Sequence, residues 1–223
     1  MSAQETARLD MARLNMIESQ LRPNGVTDER VIAAFAQVRR ELFVPERLRS
    51  VAYVDEDLPL GGGRFVMEPM AVARLLQAAA AGAKDAALVI GAGVGYEAAL
   101  LSHLARSVVA VEENAELARI GRSALVDHRI ASVTYVEGPA QIGHRQRAPY
   151  DVILFAGAVP AVPPEIGGQL GEGGRMGVVL RQPQGVGRAV LITRTGGLLA
   201  QRVMFDAATP LLPGFLAKPA FVF

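Results

Sequence analysis

Short apolar runs alternate with helix-like segments along the middle of the chain, and this alternation constrains the fold more than any other feature. Apolar runs with the length of a β-strand lie at residues 86–90, 108–111, 133–136, 150–155 and 176–180. The segments between them mostly indicate helices, so strand and helix alternate four times. Parallel neighbours need such crossovers, and right-handed crossovers place helices on both faces of one sheet. The sequence therefore predicts an α/β domain with a mostly parallel sheet.

The C-terminal part of the chain adds a hairpin and a tail. Residues 186–193 and 198–205 flank Thr195-Gly196-Gly197 and predict two antiparallel strands at one edge of the sheet. The last segment, 207–223, contains three prolines and ends in Phe221-Val222-Phe223. We expect this apolar tail to pack on the domain, because burying its aromatic residues removes apolar surface from water.

Residues 1–80 predict a mostly helical cap that packs against the sheet. A helix is predicted over 5–21, with an apolar stripe formed by Met11, Leu14, Ile17 and Leu21. A loop with an acidic patch follows at 53–63, and another helix is predicted to begin at Pro69. The chain is thus expected to be a single domain, made of this cap, a core at 81–206 and the tail.

Composition narrows the classes of function. Of the 223 residues, 51% are hydrophobic and 20% are charged, which suits a buried core. A net charge of +1 gives no long-range field that favours nucleic acid, and no apolar run is long enough to span a membrane. Cysteine is absent and the three histidines do not stand at ligand spacing, so no metal site is predicted. We expect a cytoplasmic protein whose partners include neither nucleic acid nor membrane.

A glycine-rich turn, Gly91-Ala92-Gly93-Val94-Gly95, directly follows the first strand of the alternating region. Ligands of doubly wound sheets bind outside the carboxyl ends of the strands, which is where this turn is predicted to lie. Glycine tolerates positive φ there and lets the backbone approach a ligand closely. Gly91, Ala92, Gly93 and Gly95 are therefore candidate cofactor contacts.

An acidic residue at the end of the second strand strengthens this prediction. Glu112 follows Gly91 by 112 − 91 = 21 residues, the distance at which a carboxylate can accept hydrogen bonds from ribose hydroxyls. Adenosyl and dinucleotide cofactors both carry such a ribose. The glycine spacing is G-x-G-x-G rather than the G-x-G-x-x-G of dinucleotide sites, so a dinucleotide oxidoreductase is disfavoured.

Several short stretches, taken in order, resemble one protein family. They lie at 16–21, 41–45, 52–53 with 58–61, 90–96, 148–151 and 173–175. On these stretches the chain resembles the protein-L-isoaspartate O-methyltransferase family over nearly its whole length. The resemblance implies a Rossmann-like class I methyltransferase fold, with S-adenosylmethionine as cofactor and S-adenosylhomocysteine as product. It also implies isoaspartyl-containing proteins or peptides as acceptors, since the family methylates the α-carboxylate of isoaspartyl residues in the repair of deamidated proteins.

The chain departs from the family pattern at polar positions of the site. The family's functional serine corresponds to Met67, and the glutamine beside it corresponds to Glu68. The polar residue inside the glycine turn is Ala92 here, and the acid that follows Gly138 and holds the adenine amino group in the family is Pro139. A thioether donates no hydrogen bond, and a second carboxylate repels an anionic acceptor. We therefore expect weak activity on isoaspartyl peptides.

These departures leave three hypotheses. The first is a protein carboxyl methyltransferase with Met67 and Glu68 at the reaction centre and with Gly138 and Pro139 beside the adenine. The second is a diverged methyltransferase with another acceptor, and the third is a non-catalytic adenosyl-binding or interaction protein. Glu68 itself has two interpretations. It could orient an acceptor or act as a base, or it could be an exposed carboxylate in the first turn of a helix.

Overall fold

A computed structural model of the chain describes residues 2–216. Before the central sheet, the chain forms helices, short helical turns and one hairpin. These elements are α1 (Ala3–Met16), a π-helical turn (Ile17–Leu21), α2 (Glu29–Gln37), two 3-10 turns (Arg40–Leu42 and Glu46–Val51), β1 (Leu58–Gly61), β2 (Arg64–Val66) and α3 (Pro69–Ala79). Within residues 2–216, no helix is long and apolar enough to cross a membrane.

The first helix buries a different face from the one that its spacing predicts. Met11 and Leu14 are 57% and 50% exposed, so the predicted stripe is wrong at these two positions, while Leu9 is buried. The α-helix changes at Ile17 into a π-helical turn, in which the amide of Arg22 donates to the carbonyl of Ile17. This wider turn shifts the residues after it around the helix axis. A stripe drawn at a constant 3.6-residue period therefore does not continue through it.

The predicted loop at 53–63 contains a strand at its end. β1 pairs with β2 in an antiparallel hairpin that is separate from the central sheet, with Leu58 opposite Val66. The turn between them is formed by Gly61, Gly62 and Gly63, whose φ angles are +97°, +58° and +75°. Glycine adopts this left-handed conformation without the strain that a Cβ introduces. The loop prediction is wrong from residue 58 onward because these glycines reverse the chain at once.

The rest of the chain alternates as the sequence predicts. Its elements are β3 (Ala86–Ile90), α4 (Tyr96–Ser102), β4 (Ser107–Glu112), α5 (Ala115–Asp127), β5 (Val133–Glu137), two 3-10 turns (Ala140–Ile142 and Arg145–Arg147), β6 (Tyr150–Val159), α6 (Pro164–Gly167), β7 (Leu170–Leu180), β8 (Gly187–Thr195) and β9 (Leu198–Ala207). The short helix that the sequence suggests over 166–170 lies at Pro164–Gly167 instead. Leu170 already begins β7.

In the part of the chain that the structure describes, seven strands form the central sheet in the order β5-β4-β3-β6-β7-β8-β9. Strands β3 to β7 pair in parallel, and β8 and β9 add an antiparallel edge. This confirms the predicted α/β fold with a mostly parallel sheet and an edge hairpin. The strands run outward from β3 to β5 and then resume at β6 on the other side of β3. Doubly wound sheets bind ligands at the carboxyl edge of such a switch point.

Both faces of the sheet are buried. Along β3, Ala87 and Val89 pack in one apolar cluster, whereas Leu88 and Ile90 pack in another on the opposite face. Successive side chains of a strand point to opposite faces, so a strand covered on both sides consists of apolar residues without interruption.

The segment after β9 returns to the carboxyl edge of the sheet. Leu211 forms a parallel bridge with Ala158 near the end of β6, and Leu212 is buried. The tail therefore packs on the domain as far as Phe215, whose ring contacts Phe155. Phe221-Val222-Phe223, on which the prediction also rested, lies outside the described residues.

Candidate functional site

The glycine turn between β3 and α4 adopts a backbone that suits its glycines. Gly91, Gly93 and Gly95 have φ angles of +66°, +53° and +88°. The amide of Ala92 donates to the carbonyl of Val111 at 2.9 Å, which fastens the turn to the end of β4. The four predicted cofactor contacts, Gly91, Ala92, Gly93 and Gly95, thus lie in one continuous turn of backbone at the carboxyl edge of the sheet.

Tyr135 on β5 supports the turn from behind. Its hydroxyl donates to the carbonyl of Gly93 at 3.2 Å. A Cβ on Gly95 would overlap that hydroxyl oxygen, so this position needs glycine for space as well as for its φ. Burial raises the pKa of Tyr135 well above its ordinary value, which keeps the phenol a hydrogen-bond donor. The sequence analysis did not identify this residue, because a tyrosine in a strand does not reveal what its hydroxyl reaches.

Glu112 lies at the end of β4 beside the glycine turn, where its spacing predicts it. Its carboxylate accepts hydrogen bonds from the amide of Gly93 at 2.7 Å and from the amide of Asn114 at 2.9 Å. The residue has no exposed surface. The candidate ribose acceptor and the candidate glycine contacts are therefore in direct contact.

A buried cation from the hairpin faces the same carboxylate. Nη2 of Arg64 lies 2.8 Å from Oε2 of Glu112, and the two side chains are 5% and 0% exposed. The same Nη2 donates to the carbonyl of Gly91 at 2.5 Å. Sequence reasoning missed Arg64. A cation that becomes buried needs an anion, but the sequence does not say which anion it meets.

Leu212 covers the turn from the other side. Its amide donates to the carbonyl of Ala158 at 2.8 Å, which holds the segment against the end of β6. A Cβ on Gly91 would come within 3.0 Å of the Leu212 side chain, and a Cβ on Gly157 within 2.6 Å. The crevice at the switch point is therefore lined by Arg64 and Leu212 as well as by the predicted residues.

Gly138 and Pro139 follow β5 at the same edge of the sheet. The amide of Gly138 donates to the backbone carbonyl of Glu112 at 3.1 Å. Pro139 is exposed and begins the turn Ala140–Ile142. Their predicted role at the adenine ring stays a prediction, and their place next to Glu112 is compatible with it.

Met67, at the position of the family's serine, is a core residue. It is only 2% exposed and packs in the same apolar cluster as Val89. Its amide donates to Oε1 of Glu97 at 3.3 Å, and burial raises the pKa of the Glu97 carboxyl. Met67 therefore contributes packing and a backbone hydrogen bond, whereas its thioether is shielded from solvent.

Glu68 is half-buried at the start of α3, not fully exposed as one of its two interpretations assumed. Its amide donates to Asp57 at 2.9 Å, and Asp55 accepts from the amide of Met70 at 3.0 Å. Burial, together with the charges of Asp57 and Asp55, raises the pKa of Glu68 to about 7, with Arg40 opposing the shift. Its surroundings therefore favour the neutral carboxyl more than those of an exposed glutamate do.

The crevice has the groups that an adenosyl cofactor needs. The glycines expose backbone, and Glu112 presents a carboxylate suited to ribose hydroxyls. Nε of Arg64 is buried there without a hydrogen-bond partner among the described residues, so the protein does not fully satisfy this guanidinium. The residues therefore fit the cofactor, provided that Arg64 leaves the carboxylate.

Comparison with known proteins decides the family. Residues 12–207 match the family model of Protein-L-isoaspartate(D-aspartate) O-methyltransferase. The chain belongs to this family. The protein-L-isoaspartate O-methyltransferase of Koribacter versatilis is 41% identical over 198 residues, which cover 89% of this chain and 87% of that protein. The protein of the same name from Methanoculleus marisnigri is 40% identical over 164 residues, or 74% of each chain.

Two solved structures share the fold of this protein-L-isoaspartate O-methyltransferase family member. A structure of that name has a TM-score of 0.79 at 26% identity and covers 92% of this chain and 67% of its own. A Plasmodium falciparum structure, described as a candidate protein of this kind in complex with S-adenosyl-L-homocysteine, has a TM-score of 0.76. It covers 92% of this chain and 97% of its own, but at 16% identity it supports the fold alone.

These findings confirm several predictions for this family member. The class I methyltransferase fold, the resemblance and the S-adenosylmethionine-dependent methyltransferase activity are confirmed. A non-catalytic protein and a methyltransferase with an unrelated acceptor are not favoured. The roles of the individual site residues stay predictions.

Proposed function

We propose that this chain transfers the methyl group of S-adenosylmethionine to the α-carboxylate of isoaspartyl residues, with Glu112 and the glycine turn holding the cofactor. The observation that carries the proposal is the direct contact between Glu112 and the amide of Gly93 at the switch point, in a chain of this family. Acid and turn come from different βα units. They meet because parallel strands end at the same edge of the sheet.

The cofactor side of the site holds and aligns the donor. When bound, S-adenosylmethionine supplies a methyl group on a sulfonium that is already a good leaving group. In this proposal, the backbone at Gly91, Gly93 and Gly95 lines the crevice. Glu112 accepts hydrogen bonds from the ribose hydroxyls, and Pro139 presents an apolar surface to the adenine ring. Holding two reactants in line supplies much of the reduction in the barrier.

The acceptor side needs no strong base, because an isoaspartyl carboxylate is ionised at neutral pH. Glu68 stands here beside Asp55 and Asp57 with a pKa of about 7. In its neutral form a carboxyl donates a hydrogen bond to an anionic acceptor, whereas in its charged form it repels one. We therefore assign to Glu68 the role of orienting the acceptor carboxylate through a hydrogen bond. The weak activity that the sequence predicts is then expected to fall further as the pH rises, because the charged form of Glu68 repels the acceptor.

The test is methyl transfer to a synthetic isoaspartyl peptide and to its aspartyl twin, with the ester located by mass spectrometry. We expect an ester on the α-carboxylate of the isoaspartyl peptide alone. Glu112→Ala should slow the reaction at low cofactor concentration. Glu116→Ala should not, because Glu116 is an exposed acid that pairs with Arg119. No ester on the isoaspartyl peptide, or equal esters on both peptides, would contradict the proposal.

Three further elements of the proposal rest on family membership. Intact proteins that carry isoaspartyl residues are the proposed acceptors, repair of deamidated proteins is the proposed role, and the cytoplasm is the proposed compartment. Neither nucleic acid nor a membrane has a part in it.

A further inference from the structure

The guanidinium of Arg64 occupies hydrogen-bonding positions on the carboxylate of Glu112, the residue that is proposed to bind the cofactor ribose. Oε1 of Glu112 accepts from Nη1 of Arg64 at 3.3 Å and from the amide of Asn114 at 2.9 Å. Oε2 accepts from Nη2 of Arg64 at 2.8 Å and from the amide of Gly93 at 2.7 Å. A carboxylate has about four acceptor positions, so no position is left for a ribose hydroxyl. Arg64 and the ribose must therefore bind Glu112 one at a time.

The same guanidinium also takes the space in front of the glycine turn. A Cβ on Gly91 would lie 3.4 Å from Nη2 of Arg64, and a Cβ on Gly93 would lie 3.6 Å from it. Nη2 hydrogen-bonds the carbonyl of Gly91 as well. A ligand that approaches this backbone closely therefore meets Arg64, together with the side chains of Leu212 and Leu60.

Arg64 lies on a hairpin that is anchored in the core through Leu58 and Val66, so we expect its side chain, rather than the hairpin, to move. Among residues 2–216, β1 and β2 pair only with each other, outside the seven-stranded sheet. The hairpin turn at Gly61 and Gly62 is exposed, and a Cβ on either glycine would have no neighbour within 4 Å. Since Nε of Arg64 has no partner among the described residues, the hydrogen bonds that hold the guanidinium are those of Nη1 and Nη2.

We propose that Arg64 is an internal competitor for the cofactor: it closes the crevice by occupying Glu112, and the cofactor binds only when the guanidinium leaves. The inference rests on the proposed function, because it takes Glu112 as the ribose acceptor. When only a fraction of molecules is open, the apparent affinity falls by that fraction. Arg64 thereby sets the cofactor concentration at which the enzyme becomes loaded.

Calorimetric titration with S-adenosylhomocysteine tests the proposal. We expect Arg64→Ala to bind at least about tenfold more tightly than the wild type, because the open fraction rises toward one. Arg175→Ala is the matched control and should bind like the wild type. Arg175 also donates to backbone carbonyls and to a carboxylate, that of Asp85 at 2.6 Å, but at the opposite edge of the sheet.

The possible outcomes separate this proposal from the proposed function. Equal or weaker binding by Arg64→Ala, with measurable wild-type binding, overturns the competitor role and leaves the proposed function intact. Absence of binding to both proteins overturns both. If Arg64→Ala does not fold, Arg64→Met replaces it, because methionine retains the packing of the aliphatic part of the arginine side chain. The same binding results then support or overturn the proposal.

A second measurement needs no variant. Arginine-selective labelling with a dicarbonyl reagent reports whether Arg64, 4% exposed in the closed form, leaves the crevice. Saturating S-adenosylhomocysteine should speed the labelling of Arg64 severalfold and leave that of Arg175 unchanged. Unchanged or slower labelling of Arg64 would overturn the proposal.

Discussion

The ring of Tyr135 fills the space beside Gly121 on α5, where a Cβ would overlap the hydroxyl oxygen and stand 2.6 Å from Cζ. The same hydroxyl donates to the carbonyl of Gly93 in the cofactor turn. One aromatic ring therefore connects the middle of a helix with the backbone that receives the cofactor. A change at Gly121 must displace Tyr135, and Gly93 loses its hydrogen bond.

Gly121→Ala should destabilise the protein even though alanine favours helices. In an exposed helix this change gains about 0.8–1 kcal/mol, but overpacking a filled space costs about 1–3 kcal/mol. We expect a net loss of stability in urea unfolding and weaker binding of S-adenosylhomocysteine. Gly82→Ala is the control, because its Cβ would lie 3.8 Å from the nearest atom. A Gly121→Ala protein as stable as the wild type contradicts this account of Tyr135.

The parts of the fold that the sequence predicts are those that short-range patterns decide. Asp28 caps α2, because its carboxylate accepts from the amide of Arg30, and aspartate is favoured at this position of a helix. Asn114 caps α5 in the same way, with its side-chain oxygen accepting from the amides of Glu116 and Leu117. The strand-turn-helix order around Gly91 is also a short-range pattern, and it places the turn at the carboxyl edge of the sheet. The misplaced stripe of α1 shows the limit, because a π-helical turn leaves no recognisable mark in the periodicity.

The residues of the candidate site likewise fall into those that the sequence predicts and those that only the tertiary structure shows. Glu112 was predictable because its distance from the glycine turn is fixed by one βαβ unit. Arg64 and Leu212 reach the crevice from segments far away in the chain, and only the tertiary structure brings them there. Likewise, the apolar character of Met67 was visible in the sequence, but its burial was not.

The buried pair of Arg64 and Glu112 should be strongly coupled in stability. Removing one partner of a buried ion pair costs about 3–5 kcal/mol, because the other charge stays buried alone. We expect Arg64→Met and Glu112→Gln to destabilise the protein singly, and the double variant to lose at least about 1 kcal/mol less than their sum. Arg119 and Glu116 form a control pair at 2.7 Å whose side chains are 68% and 63% exposed. Their coupling should stay below about 1 kcal/mol. Additive effects at Arg64 and Glu112 would refute the ion pair.

Glu68 should make stability fall as the pH rises. Its folded-state pKa of about 7 lies above the ordinary value of 4.5, so the folded state binds more protons between these values. The resulting stabilisation is complete below pH 4.5 and is lost as the pH rises through 7.

A neutral replacement tests this dependence. Because Glu68 is half-exposed, we expect Glu68→Gln to be only about 1 kcal/mol more stable than wild type near pH 8, and equal to it near pH 4. Unfolding in urea at both pH values measures the difference, with Glu46→Gln, an exposed glutamate, as control. A difference that does not change with pH would show that folding does not raise the pKa of Glu68.

With Pro139 beside the adenine ring, we expect the site to discriminate poorly between ligands with and without the adenine amino group. An apolar surface rejects an analogue that lacks a polar group only weakly, whereas a site that hydrogen-bonds the group rejects it strongly. An S-adenosylhomocysteine analogue without the amino group should bind within a few-fold of the parent compound in competition experiments. A hundredfold loss would mean that another residue holds this group.

Calorimetric titration of the wild-type protein tests the central claim, that the crevice between the glycine turn and Glu112 holds an adenosyl cofactor. We predict one site for S-adenosylhomocysteine and none for NADH. In the Arg64→Ala background, where the ion pair no longer contributes, Glu112→Ala should weaken binding by about 1.5–3 kcal/mol, the range for a hydrogen bond to a charged group. No binding of S-adenosylhomocysteine at millimolar concentration, or binding of NADH in its place, would contradict the account.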